Sequence, residues 1–294
     1  TGLGVRGFIG GGNGPTPAAN TMNNTIDYIT ISTFGNAQDF GDLTRASTGN
    51  SGSSSRTRGL FTNRRVFPNP GGYYNEMDYI TLASLGNAQD FGDAVNTNGY
   101  GRAFSNQIRS VNCLLSSYNY MDYVTIATTG NGVDFGDMTE VHEAGAAFAS
   151  KTRGVMAGGQ SKNVIDFVTI MTTGNATDFG DMRTTTSTSQ GMANATRGVI
   201  KWRDTPAYTN AIDYLTIATK GNSTDFGDFI NNSASAVGCA SPTRGCFCGG
   251  YGDPAFRTDI GSIEIPTTGD ALDFGDLTYT ADWQAGSSSG HGGL

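Results

Sequence analysis

Short apolar segments alternate with turns of Gly, Asn and Asp along this chain, and one pattern of apolar and polar positions recurs six times. In five copies, a segment like Ile-Asp-Tyr-Val-Thr-Ile is followed by Gly-Asn and then by Asp-Phe-Gly-Asp, and the sixth copy has Gly-Asp in place of Gly-Asn. The apolar residues of the first segment, such as Ile26, Ile29 and Ile31, do not alternate strictly with polar residues, which indicates strands packed on both faces. No apolar period of 3.6 residues persists for three turns, so the pattern predicts strands rather than helices.

The spacing of this pattern is regular. The leading Asp of Asp-Phe-Gly-Asp recurs at steps of 51, 44, 44, 47 and 48 residues, at Asp39, Asp90, Asp134, Asp178, Asp225 and Asp273. Each of the first five closing Asp is followed 16 residues later by an Arg, at Arg58, Arg109, Arg153, Arg197 and Arg244, and Arg6 matches them in the first unit. Fixed distances indicate fixed strand register, because a one-residue slip would turn every side chain to the other face. All length variation falls between the Arg-Gly strand and the Ile-Asp-Tyr strand.

A repeat of this length, with four short strands per unit, is typical of a propeller blade. We therefore expect an all-β, six-bladed β-propeller of four-stranded blades. The ring is predicted to close by pairing the C-terminal strand with the N-terminal strands, because residues 285–289 resemble residues 51–55. The same strand could instead be lent to a neighbouring copy. The chain is expected to be one domain, 1–294, with units at about 4–43, 44–94, 95–138, 139–182, 183–229 and 230–278 and a closing strand at 279–294.

The repeated residues are expected to be structural. The Phe of each Asp-Phe-Gly-Asp, at Phe40, Phe91, Phe135, Phe179, Phe226 and Phe274, is predicted to wedge between blades. The Asp residues are expected to hydrogen-bond backbone N–H groups and to pair with the repeated Arg. Calcium binding by the Asp residues, or an anion-binding ring of the Arg residues, are the alternatives. Gly-Asn is expected to form the hairpin turn between the last two strands.

Composition limits the possible partners and compartments. The net charge is −8, and 17 of the 22 Asp lie at repeated positions, so the acidity is mostly structural. The absence of a basic stripe argues against nucleic acid, and no apolar run approaches the length of a membrane span, so no membrane insertion is expected. Cys239 and Cys246 lie on adjacent predicted strands and could form a disulfide. Thr1 is expected to be a processed or excerpted start.

The sequence offers little for catalysis. The chain has only two His, His142 and His291, and four Glu, and these residues show no spacing typical of a metal site or a nucleophile triad. We therefore expect no enzyme activity, no cofactor and no bound metal. Function is sought in the variable loops, where aromatic and Arg side chains on a rigid scaffold are typical of interfaces and sugar sites. The candidate contact residues are Arg64, Arg65, Phe67, Tyr73, Tyr74, Trp202, Arg203, Tyr208, Tyr251 and Phe256. The alternative is that these side chains only cap the edge of the core.

The order of elements also resembles a kelch repeat, in which a Gly-Gly doublet follows the second strand and an aromatic residue closes the fourth. Gly10-Gly11, Gly158-Gly159 and Gly249-Gly250 supply the doublet, while Phe stands in place of the usual Trp.

The amino-acid sequence of the repeat, best seen in residues 26–43 and 165–182, also resembles repeats in virion structural proteins of marine and cyanobacterial phages. This resemblance implies a non-enzymatic tail, fibre or capsid appendage, located in the virion or outside the cell. Its partners would be other copies of itself, other virion proteins or a host-surface glycan. The alternative is a secreted, lectin-like or filament-forming propeller.

Overall fold

The computed structural model describes residues 5–14, 21–67, 72–113, 118–203, 207–252 and 255–290. Its strands are β1 (Arg6–Gly10), β2 (Thr25–Thr30), β3 (Gln38–Asp42), β4 (Ser51–Ser54), β5 (Arg58–Thr62), β6 (Arg64–Val66), β7 (Gly72–Thr81), β8 (Gln89–Asn98), β9 (Arg102–Ser105), β10 (Arg109–Cys113), β11 (Tyr120–Thr125), β12 (Val133–Asp137), β13 (Ala146–Ala149), β14 (Arg153–Gly159), β15 (Lys162–Thr169), β16 (Thr177–Thr186), β17 (Thr188–Ala193), β18 (Arg197–Arg203), β19 (Ala211–Thr216), β20 (Thr224–Asp228), β21 (Val237–Ala240), β22 (Arg244–Cys248), β23 (Tyr251–Gly252), β24 (Ala255–Phe256), β25 (Asp259–Glu264), β26 (Leu272–Asp276) and β27 (Ala285–Ser288).

These strands form a six-bladed β-propeller, as the spacing predicts. From the inner to the outer edge, the blades are β27-β1-β2-β3, β4-β5-β7-β8, β9-β10-β11-β12, β13-β14-β15-β16, β17-β18-β19-β20 and β21-β22-β25-β26, numbered blades 1 to 6. Strand β6 adds to β7 in blade 2, and β23 and β24 form a small hairpin beside blade 6.

The ring closes within blade 1 by pairing the two ends of the chain. Strand β27 runs antiparallel to β1, with Gly7 opposite Ser288 and Gly10 opposite Ala285. The Ser289 N–H donates to the Arg6 carbonyl oxygen at 2.9 Å, which extends the ladder by one bond. The C-terminal strand therefore closes the ring on the N-terminal strands, as predicted.

The Phe of each Asp-Phe-Gly-Asp packs against the next blade, as predicted. Phe40 of blade 1, for example, lies in one buried cluster with Phe61, Ile80 and Leu82 of blade 2. The equivalent Phe residues of the other five blades are also buried, each with apolar residues of the following blade. Burying such a ring contributes roughly 1.5–3 kcal/mol, so these contacts hold the blades together.

A backbone link at the outer edge joins every pair of neighbouring blades. At one interface, the Gly174 N–H donates to the Phe135 carbonyl oxygen at 2.7 Å, and the Asp137 N–H donates to Asn175 Oδ1 at 3.1 Å. Gly136 has φ +137°, and a Cβ there would lie 2.6 Å from the Gly174 carbonyl group. Gly-Asn therefore forms the hairpin turn, and it also binds the Asp-Phe-Gly-Asp strand of the preceding blade.

The predicted pairing of the repeated Arg with Asp-Phe-Gly-Asp is wrong. In the described residues none of the six Arg forms an ion pair with these Asp, and the leading Asp side chains are exposed. Arg153 instead stacks on the Phe167 ring, with its guanidinium carbon 4.5 Å from the centroid, and donates to the Ile217 carbonyl oxygen of blade 5 at 2.7 Å. A planar guanidinium can make both contacts at once. The same bond to the next blade is made by Arg58, Arg109, Arg197 and Arg244, and Arg6 stacks on Tyr28.

A buried Asp in the third strand provides another link between blades. Asp27 accepts hydrogen bonds from the Thr278 N–H and hydroxyl, at 2.8 and 2.7 Å, across the interface between blades 6 and 1. Asp78 and Asp166 bind Thr44 and Thr139 in the same way. Each donor stands two residues after the closing Asp of the preceding blade, so the pair of positions works as one unit.

Blade 6 replaces this polar pair with an apolar one. Gly261 stands where five other blades have Asp, and Ile230 stands where Thr44, Thr139 and Thr278 do. The residue before it, Phe229, is larger than Leu43, Met138 and Leu277 at the same position of other units. The Phe229 ring fills the space, because a Cβ on Gly261 would lie only 2.2 Å from Phe229 Cε2. The absence of Asp from the sixth unit is thus explained by the residue that faces it.

The inner strands meet closely around the axis. A Cβ on Gly52 of β4 would lie 2.1 Å from the Gly286 carbonyl oxygen, and one on Gly286 would lie 2.3 Å from the Gly238 carbonyl oxygen. Small residues are therefore required at this level, which explains the composition of the inner strands. The ring at this level consists of Gly52, Ala103, Ala147, Gly191, Gly238 and Gly286.

Two details differ from the sequence-based expectations. The left-handed Gly doublet of blade 1 is Gly11-Gly12, with φ of +70° and +103°, and not Gly10-Gly11. The suggested disulfide is not formed: Cys239 and Cys246 lie opposite each other in β21 and β22 as buried free thiols.

Candidate functional site

The connections between the second and third strands of all blades lie on one face of the ring, which we call the loop face. Its described connections are 11–14 and 21–24, 63–67 and 72–76, 118–119, 160–161, 207–210, 249–252 and 255–258. Isolated bridges such as Thr48 to Arg65 and Ala234 to Tyr251 attach these loops to the crossings between blades. The Gly-Asn hairpins lie on the opposite face, which we call the turn face.

Arg65 organises an aromatic cluster at the mouth of the ring between blades 2 and 3. Its guanidinium carbon lies 4.0 Å from the centroid of Phe67, 5.5 Å from that of Tyr73 and 5.2 Å from that of Tyr100. Arg65 Nη1 also donates to the Tyr100 hydroxyl at 2.7 Å. We call these four residues the Arg65 cluster. Tyr73 keeps 39% of its surface exposed, so the cluster presents an aromatic side chain and a cation to solvent.

A second cluster joins blades 5 and 6. The Tyr251 ring lies 5.7 Å from Tyr208 and 5.2 Å from Phe256, centroid to centroid. The Arg203 guanidinium carbon lies 4.4 Å from the Tyr208 centroid. We call these residues the Tyr251 cluster. All four are half-buried, so residues predicted separately from two loops share one surface patch.

Other candidate residues belong to the blades themselves. Arg64 is fully buried and forms an ion pair with the equally buried Asp78. Trp202 lies in β18, packs against the core and donates from Nε1 to Asp213 Oδ1 at 3.0 Å. Tyr74 is half-buried beneath Arg45, whose guanidinium carbon lies 4.6 Å from its centroid. For Arg64 and Trp202 the structure favours the alternative interpretation, in which the side chain completes the fold.

Sequence reasoning missed a third patch in blade 3. The Tyr118 and Tyr120 rings stack with centroids 5.5 Å apart and planes at 15°, and the residues are 60% and 43% exposed. They lie where a variable loop leads into β11, so the Tyr-Asn-Tyr sequence could have identified them as candidates. The two rings therefore add to the exposed aromatic surface of the loop face.

The buried ionisable groups near the loop face are held by structural contacts. His142 is fully buried, with Nδ1 3.0 Å from the Gly158 carbonyl oxygen and Nε2 3.1 Å from Asp166 Oδ2. Burial lowers the pKa of Lys201 to about 7, and its Nζ donates to the carbonyl oxygens of Thr209 and Ser233. In the described ranges no three side chains of His, Cys, Asp or Glu are grouped so as to hold a metal ion.

Comparison with known proteins gives no relative from which a role could be transferred: no family model matches the chain, and no curated protein matches it. In the part of the chain that the structure describes, no helix is long and apolar enough to cross a membrane. The fold and its surface chemistry therefore carry the functional argument. The β-propeller is compatible with a role in protein–protein interaction.

Proposed function

We propose that this chain is a non-enzymatic structural and adhesion component of a phage virion, such as a tail, fibre or capsid appendage, which contacts its partners through the loop face. One observation carries the binding part of the proposal. The loop face concentrates exposed or half-exposed aromatic and Arg side chains in the Arg65 cluster, the Tyr251 cluster and the Tyr118–Tyr120 pair.

This surface chemistry fits recognition better than stability. Tyr and Arg are enriched in the residues that dominate protein interfaces, because they combine apolar area with a polar end. The repeated Arg and Phe residues and the buried Asp of the third strand, by contrast, make contacts between blades. The virion assignment itself is supported by the resemblance of the repeat to phage virion repeats.

The virion assignment is tested by labelling purified phage particles with antibodies raised against the folded domain. Gold label at a fixed place on the particles, together with peptides of this chain in their mass spectra, is expected. Particles that carry neither would contradict the assignment.

The loop face is tested separately with a Y73S/Y118S/Y120S variant. We expect a thermal midpoint close to that of the wild type and weaker self-association in sedimentation experiments, or weaker binding to purified particles. The matched control is Leu85→Ser, because Leu85 is 60% exposed on the turn face. Equal loss of binding in both variants would refute a specific role for the loop face. Binding of the soluble domain to a glycan array that is lost in the triple variant would favour the lectin-like alternative.

A further inference from the structure

The interface between blades 6 and 1 departs from the repeat on the turn face. In the other five blades, the third strand supplies an aromatic ring to the repeated Arg, with the guanidinium carbon 3.9–4.8 Å from the ring centroid. These rings belong to Tyr28, Tyr79, Tyr123, Phe167 and Tyr214. Blade 6 has Ser262 at this position, opposite Leu272 of β26. The third strand of blade 6 therefore lacks the ring that the other blades have.

Phe34 of blade 1 replaces the missing ring. It lies in the hairpin between β2 and β3, with its centroid 4.8 Å from the Arg244 guanidinium carbon and 5.2 Å from the centroid of Phe274. Tyr28 makes the two equivalent contacts within blade 1. Phe34 nevertheless keeps 53% of its surface exposed, so this interface presents an open aromatic ring on the turn face.

A hollow of about 330 Å³ lies beside Phe34 in blade 6. Its wall includes Ser262, Leu272 and the hairpin residues 267–270. Leu272 is 65% exposed and adds a second apolar side chain to the wall. The volume is at the lower end of the range of small-ligand pockets, which are mostly apolar with a few polar groups. A ligand of about one ring therefore fits the hollow.

Two carboxylates in this wall are specific to blade 6. Glu264 stands where the five other blades have Thr, and Asp270 stands where they have Asn. Arg244 donates from Nε and Nη2 to Glu264 Oε1, both at 3.0 Å, and the Asp228 N–H donates to Asp270 Oδ1 at 3.0 Å. Each carboxylate is thus held through one oxygen. Because an ionised carboxylate has two acceptor oxygens, each keeps capacity to accept from a ligand.

The groups in the wall favour a neutral ligand that is rich in hydroxyl groups. The two carboxylates repel an anion, and Arg244 in the same wall repels a cation. An aromatic side chain of a partner would find its place beside Arg244 already occupied by Phe34. A pyranose, by contrast, has a C–H face that packs against an aromatic ring and hydroxyls at its rim that donate to carboxylates.

We propose that the hollow on the turn face binds a pyranose sugar, with the C–H face of the sugar against Phe34 and Leu272 and its hydroxyls donating to Glu264 and Asp270. Arg244 is a positioning residue, because it holds the Glu264 carboxylate. The proposal is independent of the partner that the loop face binds.

A second hollow, of about 600 Å³, lies on the blade 1 side of Phe34, and its wall includes Tyr28 and Gln38. Phe34 belongs to the walls of both hollows. The surface therefore has room for a second sugar unit next to the first.

The wild-type protein provides the first test, by saturation-transfer NMR with the methyl pyranosides of glucose, galactose, mannose and N-acetylglucosamine. We expect at least one of them to receive saturation, most strongly at the protons of one ring face. Disaccharides that contain this sugar should bind more tightly if the ligand is a glycan, whereas equal affinity indicates a free monosaccharide. No transfer to any of the four, or stronger transfer to N-acetyl-L-tyrosinamide, would overturn the proposal.

Two variants taken from the repeat itself provide the second test. Phe34→Thr installs the residue of blades 3, 4 and 6, and Glu264→Thr installs that of the five other blades. Both should keep a thermal midpoint close to that of the wild type and weaken sugar binding by about tenfold or more. Leu85→Thr is the matched control, because Leu85 holds the position of Phe34 in blade 2 and is 60% exposed. It should bind as the wild type does.

Unchanged affinity in both F34T and E264T would overturn the assignment. Binding that is lost only in Y73S/Y118S/Y120S would place the sugar on the loop face and would also overturn it. If F34T alone does not fold, the double variant S262Y/F34T decides, because it restores the arrangement of the other blades. This variant should fold and lose binding, and binding that persists in it would contradict the proposed site.

Discussion

The pair Phe229 and Gly261 offers a direct test of how neighbouring blades are coupled. Changing Phe229→Leu and Gly261→Asp together installs in blade 6 the Leu and Asp that Leu277 and Asp27 supply at the next interface, where the Asp accepts from the Thr278 N–H. The Ile230 N–H, at the position of Thr278, would be the donor to the new Asp. Each single change should be destabilising. F229L removes a ring that is 3% exposed and packed edge-on against Phe247, with centroids 6.0 Å apart, at a cost of about 1–3 kcal/mol.

The second single change fails for a different reason. In G261D, the new Cβ would meet Phe229 Cε2 at 2.2 Å, and a buried carboxylate without its donor costs about 3–5 kcal/mol. If the effects were independent, the double variant would lose about 4–8 kcal/mol, the sum of these two estimates. If the positions form one unit, we expect the double variant to lose no more than about 2 kcal/mol, because the smaller Leu makes room for the carboxylate and lets it accept from the Ile230 N–H.

The assay is urea unfolding of the wild type, both single variants and the double variant, followed by circular dichroism. Thr278→Val is a calibrating control, since it removes the hydroxyl donor to Asp27 while keeping the side-chain shape. The coupling would be refuted if the free energy of unfolding lost by the double variant equalled the sum of the losses of the two single variants. The absence of Asp from blade 6 would then have a cause other than Phe229.

Three further outcomes follow from the contacts between blades. Gly136→Ala should cost at least about 2 kcal/mol more than Gly174→Ala in chemical denaturation, because both have positive φ but only Gly136 faces the next blade within 4 Å; equal losses would show that the close approach relaxes. Arg153→Lys should cost about 1–2 kcal/mol, since an ammonium cannot both stack on the ring and reach the carbonyl oxygen, and a neutral result in the same assay would contradict that reading. Burial alone would raise the pKa of Asp166, but hydrogen bonds from His142 and Thr139 outweigh it and lower that pKa below 3.8. The stability that this carboxylate contributes is therefore present above pH 3.8 and is lost as pH falls through the lower, folded-state pKa. His142→Asn should weaken this acid dependence in denaturation curves recorded at several pH values. If the free energy of unfolding depends on pH as in the wild type, the role of His142 is contradicted.

The blades could be predicted from the sequence because each unit repeats the same spacing. Asp39 and its equivalents mark a fixed register, and the Phe that follows each of them must be buried somewhere between blades. The Arg contacts could not be predicted in this way. The 16-residue spacing that separates Asp137 from Arg153 recurs in other units. It shows that the strands are equal in length, but it does not show that the two side chains are in contact. Arg153 in fact crosses to a different blade, at Ile217.

The candidate site was harder to predict for a related reason. Arg64 and Trp202 stand in segments that differ between units, yet the structure extends the strands through them and turns both side chains inward. The position of Arg102 could not be predicted either. It begins the inner strand β9, and its guanidinium donates to the carbonyl oxygens of Gly145 and Ser189 in other blades, which no local pattern contains.

Ring closure has a consequence for how the protein is made. The bond from the Arg6 N–H to the Ser289 hydroxyl joins residues 283 positions apart, so the first blade cannot be completed until Ser289 has left the ribosome. Contacts of such long range slow folding, and until they form, β1 offers a free edge to any other strand. Nascent chains that are translated from one mRNA lie close together and could pair with one another through that edge. We therefore expect refolding yield to fall with protein concentration, and separately supplied 279–294 peptide to suppress the loss by occupying β1.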